Sequence, residues 1–251
     1  VRLVALLVLA LAAAPAQAQH KPWFAGTRGT GAVQWTPPGI QRATGPTWPV
    51  VGGATGTTGS ATTTSFSTNE TPTICVAAVG FGNFDGNTQT PITVAWSGGS
   101  GCSSSWTKQP EANISGHHTA SIWTTTCSSA VSSRAVQASG TSSTNTTISV
   151  AVECLLQAST TVGTNQTSTT AMNVTLTGIA SGSWIYVASM AEETTTISEV
   201  SGTTRLRSDN IAGNVISATG ANTAGASGSV QVGWSTTQSF RATAALEIKT
   251  Q

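Results

Sequence analysis

Tryptophan and tyrosine are the side chains here with the clearest capacity to hold a ligand. The chain of 251 residues has eight tryptophans and one tyrosine. An aromatic ring exposed on a sheet offers a flat apolar face that stacks on a sugar ring. Trp96 and Trp234 share the apolar parity of their strands and are assigned to the core. Trp106 follows three serines, Trp123 is out of parity with Ile122, and Trp184 shares a strand face with Tyr186, opposite Ile185 and Val187. Trp106, Trp123, Trp184 and Tyr186 are therefore the expected sugar-stacking residues. Trp23, Trp35 and Trp48 recur at nearly even intervals, each near Pro or Gly, in a segment rich in Gly, Pro and Thr. They are read as docking residues, for a partner or for the adjacent domain.

Other chemistries are poorly served. His117 and His118 are adjacent, so on a strand they point to opposite faces and do not share a metal; they are expected at a solvated strand start. No Gly-x-Ser-x-Gly elbow is present. Glycoside hydrolysis needs two carboxylates facing each other across a cleft. Among nine acidic residues, Glu153 and Glu199 are the candidates, although Glu199 equally suits an ion pair with Arg205 or Arg207 across a hairpin at Ser201-Gly202. Asn83-Phe84-Asp85-Gly86-Asn87 has a single Asp and reads as an Asx turn, not a calcium loop. No residue set points to a metal or a cofactor.

Cys75, Cys102, Cys127 and Cys154 form an even set without a Cys-x-x-Cys pair, which favours two disulfides over zinc. Three connectivities are open. Cys102–Cys127, two loop-proximal positions, is preferred, leaving Cys75–Cys154 to join two apolar strands. Oxidised cysteines agree with the N-terminus. Arg2 precedes an apolar run, Leu3 to Ala14, and Pro15-Ala16-Gln17-Ala18 has the small residues of a signal-peptide cleavage site. The run is shorter than the roughly 20 residues that span a bilayer, and no second long one follows, so membrane insertion of the mature chain is not expected. The expectation is a protein secreted to the cell exterior, the periplasm or the cell surface.

Only 8% of residues are charged and the formal net charge is +1. Such a surface neutralises few phosphates, so nucleic acid is not an expected partner. Near-zero charge favours self-association, so a homo-oligomer is compatible.

Residues 1–18 are thus read as a signal peptide, 19–72 as an irregular arm and 73–251 as one domain. From Ile74 onward, apolar and polar residues alternate in short runs. Ile148, Val150, Val152 and Cys154 oppose Ser149, Ala151 and Glu153; Phe240, Ala242, Ala244, Leu246 and Ile248 oppose Arg241, Thr243, Ala245, Glu247 and Lys249. A period of two means strands with one buried and one polar face. With no helical run past the signal, the expected fold is all-β, an antiparallel two-sheet β-sandwich of jelly-roll-like form.

Val76-Ala77-Ala78-Val79, then Ser105-Trp106-Thr107-Lys108, Ser121-Ile122-Trp123-Thr124, Val152-Glu153 and a closing Val232-Gly233-Trp234-Ser235 follow one another along 70–249. This order resembles the jelly-roll β-sandwich modules of bacterial secreted proteins and bacteriophage virion proteins. The resemblance implies a structural or surface-binding role. The leading expectation is an exported, non-catalytic module that binds or coats a surface, with polysaccharide or a cell-surface glycan as ligand. A virion or filament protein docking neighbouring subunits through its arm is the alternative. A hydrolase using Glu153 or Glu199 is the second.

Overall fold

The structure, a computed structural model, describes residues 39–56, 59–83, 92–114, 117–140, 146–192, 197–211, 215–235 and 240–251. In chain order the first strands are β1 (Gln41–Arg42), β2 (Val50–Gly56), β3 (Ser60–Thr62), β4 (Ile74–Asn83) and β5 (Thr93–Ser97). Next come β6 (Ser100–Cys102), β7 (Thr107–Ile114), β8 (His118–Ser132), β9 (Ala135–Ser139) and β10 (Thr146–Leu156). The last six are β11 (Asn165–Ser168), β12 (Asn173–Glu192), β13 (Ser198–Glu199), β14 (Thr204–Ile211), β15 (Val215–Ser235) and β16 (Arg241–Ile248). No helix occurs among the described residues, so none is long and apolar enough to cross a membrane.

Every pairing is antiparallel, as the alternation predicts. The central sheet has seven strands. β10, β4 and β8 form its middle; β1 and β2 share the β10 edge, and β6 and β7 share the β8 edge. Pro110, which has no N–H to donate, sits where the β7 register shifts between Lys108 and Glu111. A six-stranded sheet, β11-β16-β12-β15 with β13 and β14 along the β15 edge, packs on one face of the central sheet. A three-stranded sheet, β3-β9-β5, covers the other face.

The sandwich thus has a third layer beyond the two expected sheets. β10 lies in the middle, and both its faces are buried: Ile148, Val150 and Val152 pack toward the small sheet, while Ser149, Ala151 and Glu153 are equally enclosed on the other side. The polar parity of β10 was expected to face solvent. It does not, because a sheet with neighbours on both faces has no solvated side. Close approach of the two large sheets needs Gly80, where a Cβ would collide with the Ser217 hydroxyl.

Two strands are longer than the alternation indicates. Two separate alternating runs, Met172–Leu176 and Trp184–Met190, lie on or beside one strand, β12, with register shifts between Thr177 and Ile185. Gly178 and Gly182 have φ of +71° and +82° there, a conformation that lets the strand bend without a Cβ clash. Gly220-Ala221-Asn222, residues of a turn-forming type, lies inside β15. The bent β12 and β15 curl the six-stranded sheet over its own outer face, enclosing Leu176, Val187, Ile216 and Trp234 in a separate core.

Residues 39–72 of the expected arm supply β1, β2 and β3. An edge strand with only one buried face needs little apolar content, which is why Val50-Val51-Gly52-Gly53 suffices for β2, paired along β10 from Val152 to Thr146. Both preferred cysteine pairs, Cys75–Cys154 and Cys102–Cys127, are at bonding distance.

Candidate functional site

The edge row formed by β1 and β2 breaks at residues 43–49. Ala43 N still donates to Cys154 O at 2.9 Å, but the chain then leaves the sheet and returns through a cis Trp48-Pro49 bond. Trp48 folds back over this excursion. Its indole N–H donates to Ala43 O, and its ring meets Phe66 edge-on with centroids 5.5 Å apart. Facing the excursion is the segment after β3, held on the small sheet by Thr63 N to Val136 O at 2.9 Å and Phe66 N to Arg134 O at 2.8 Å. Asn69 N to Thr44 O at 2.7 Å ties the two segments together.

Between them opens a cleft of about 560 Å³. Phe66, 5% exposed, is at its base; Pro46 and Pro49 are among its walls; Thr47, Thr64, Ser65 and Asn69 supply hydroxyl and amide groups around it. No charged side chain lines the cleft. Behind Phe66 the aromatic packing continues into the small-sheet core, with Phe66–Trp96 centroids at 6.1 Å and Trp96–Trp106 at 4.9 Å.

The expected stacking residues are elsewhere, and their faces are occupied from within the protein. Trp106 and Trp123, expected to be exposed, are each only 8% exposed. Trp106 packs on Trp96, and Trp123 lies under the Lys108 ammonium at 5.8 Å while donating its N–H to Ser121 Oγ at 2.8 Å. Tyr186 is buried between the large sheets. Trp184 is partly buried, with the Arg42 guanidinium 4.9 Å above its ring. Parity showed that Trp184 and Tyr186 share a strand face but not that another layer covers it. Trp48 is packed into its own domain. Trp23 and Trp35 lie outside the described residues, as does the turn at Phe84–Asn87. Phe66 was not singled out: one aromatic in a Ser/Thr run carries no periodic signal, and only Pro46-Thr47-Trp48-Pro49 marked the facing segment.

The carboxylates have structural partners. Glu153 is fully buried; its Oε1 accepts from Arg42 Nε at 2.9 Å and its Oε2 from the Tyr186 hydroxyl at 2.6 Å. Burial, then the charge and hydrogen bond of Glu153, push the Tyr186 phenol well above its ordinary value, so it stays a donor. Glu199 lies on an exposed hairpin and accepts from Arg205 Nε at 2.5 Å, the ion pair named from sequence. Neither carboxylate lines the cleft.

Glu247, expected on a polar face, is enclosed. Burial alone raises its pKa, but donors from Ser183 Oγ at 2.6 Å, Thr164 N at 2.8 Å and Ala180 N at 2.8 Å, with Lys249 nearby, outweigh burial and hold the carboxyl below its ordinary value. His118, expected to be solvated, is fully buried, and neither ring nitrogen has a hydrogen-bond partner among the described residues. Burial is the main cause that lowers its pKa to about 4.

No protein-family model, no curated protein and no solved structure matches the chain. Its function has to be read from its own geometry. Among the described residues, the one cluster of three or more metal-type ligands is Cys75, Cys102 and Cys127, whose sulfurs are already bonded in disulfides.

Proposed function

We propose that the chain is an exported, non-catalytic β-sandwich module that holds a neutral polysaccharide in the cleft between residues 43–49 and 63–69. One observation carries this reading: the cleft combines an apolar base and walls, Phe66, Pro46 and Pro49, with uncharged hydroxyl and amide groups, Thr47, Thr64, Ser65 and Asn69. A sugar ring has the same two characters, C–H faces that pack on apolar side chains and hydroxyls that pair with short polar ones. A ligand site joins apolar surface and placed polar groups on a concave wall, and here the two are present in similar measure. Export is supported by the Leu3 to Ala14 run with Ala16 and Ala18 after it, and by two disulfides, which persist in oxidising compartments.

The test is retention on a panel of insoluble neutral polysaccharides. Thr47 and Ser65 are exposed on opposite walls, so Thr47→Arg with Ser65→Arg fills the cleft without touching the core. Retention by the natural chain that disappears in the double variant is the expected result. Retention that survives it moves the ligand away from this cleft, and no retention on any polymer removes polysaccharide as the ligand class.

A further inference from the structure

The four cysteines lie on one face of four adjacent strands. Cys154 on β10 is directly opposite Cys75 on β4, and Cys127 on β8 is opposite Cys102 on β6. The two bridges touch: Cys75 Sγ is 3.5 Å from Cys127 Sγ and 3.8 Å from Cys102 Sγ. Their surroundings differ. Cys75 and Cys154 have no exposed surface, whereas Cys127 is half-buried and Cys102 is 9% exposed.

Arg134 holds the backbone of one bridge. Arg134 is 9% exposed, its guanidinium is 4.8 Å above the Trp96 ring, and its Nη1 donates to Cys102 O at 3.1 Å. Its Nε has no hydrogen-bond partner, and no carboxylate pairs with it among the described residues. A buried cation without a counter-charge favours any anion that forms next to it. The residue it holds, by the backbone carbonyl, is Cys102, and an arginine next to a cysteine stabilises its thiolate.

We propose that Cys102–Cys127 is a thiol-exchange site for small external thiols, attacked at Cys127, and that Cys75–Cys154 is a permanent crosslink. The incoming thiolate forms a bond to Cys127 Sγ; the Cys127–Cys102 bond breaks; its electron pair leaves on Cys102 Sγ, in the residue whose carbonyl accepts from Arg134. The product is a mixed disulfide on Cys127 and a thiolate at Cys102, with no net oxidation or reduction. A second thiol attacking the mixed disulfide completes the two-electron reduction of the bridge and is itself oxidised to the external disulfide. Attack in the opposite sense requires approach to the more buried residue, Cys102, and leaves the negative charge on Cys127, whose backbone Arg134 does not hold. Onward attack of either released thiolate, Cys102 or Cys127, on Cys75 would expel a thiolate at Cys154, enclosed by apolar side chains, which disfavours the anion.

The experiment exposes the oxidised protein to increasing reduced glutathione, traps free thiols with N-ethylmaleimide and maps each cysteine by peptide mass spectrometry. Glutathione on Cys127, maleimide on Cys102 and an intact Cys75–Cys154 bridge are expected. Arg134→Met should slow the opening by roughly an order of magnitude, because a leaving thiol of higher pKa departs more slowly, and Arg134→Lys should restore most of the rate. Glutathione on Cys102, opening of Cys75–Cys154 at the same glutathione concentration, a crosslink from Cys75 to Cys102 or Cys127, or unaltered kinetics in a folded Arg134→Met variant would each overturn the proposal. Should Arg134→Met not fold, the position of the adduct in the natural chain decides alone.

Discussion

Toward the three-stranded sheet, β10 presents Ile148, Val150, Val152 and Cys154; toward the six-stranded sheet it presents Ser149, Ala151 and Glu153. Both faces are fully enclosed, yet they are held by different physics. The first is an apolar layer in which buried area and close packing supply the stability. The second is a layer of small residues crossed by polar links: Ser149 Oγ to Ser217 Oγ at 2.9 Å, Ser217 Oγ to Gly80 O, and Glu153 to Tyr186. Such links contribute little net energy when made and cost much when half broken. One strand therefore shows that burial and hydrophobicity are separate properties, and that a polar residue is tolerated in a core when its partner is built opposite.

The contrast can be broken at several points. Ile148→Ala should lose about 3–4 kcal/mol through a cavity in the apolar layer, and no second truncation nearby should recover it. Glu153→Leu should cost about 3 kcal/mol, chiefly by orphaning the buried Tyr186 hydroxyl. Here the loss is recoverable: adding Tyr186→Phe should return about 1 kcal/mol or more, since removing both partners is far cheaper than removing one. Equilibrium denaturation of the single and double variants reads both effects, and additive losses for the Glu153 and Tyr186 pair would erase the distinction between the layers.

His118 is the untethered exception at the far end of the polar layer. Its folded pKa of about 4 lies below the ordinary 6.5, so the folded state prefers the neutral ring. That contribution is complete above about pH 6.5 and is lost as pH falls toward about 4, because the unfolded chain takes up the proton first. Between about pH 7.5 and 4.5 the loss is roughly 2–3 kcal/mol. His118→Leu should flatten this part of the pH–stability profile, and a slope unchanged by the substitution would assign it to other groups. Ser217→Ala should cost about 1–2 kcal/mol by leaving Gly80 O and the Ser149 hydroxyl short of a partner, measured by the same denaturation. Arg205→Ala, on the solvated hairpin, should change stability by less than about 1 kcal/mol.

Most strand positions were legible from alternation, since period two depends only on the backbone pleat. β4, β8, β10 and β16 stand where the apolar residues place them. β2, β3, β9 and β11 carry weak patterns, because edge and cover strands bury one face or less. The cysteine pairing was partly legible, as apolar strands and loop-proximal positions sorted the four residues. The candidate cleft was hardly legible. Phe66 and Trp48 are far apart in any strand pattern, and they meet only because β3 carries the chain from the edge of one sheet to the edge of another.

Alternation, the absence of helical periodicity and the low charge determined by themselves an all-β antiparallel protein with an uncharged polar surface. The number of layers was decided by tertiary structure alone. Parity along a strand states that two faces differ; it does not state whether a second sheet lies against the polar one. That single fact buried Glu153, His118 and Tyr186, and it came from contacts between strands distant in sequence, which no local pattern encodes.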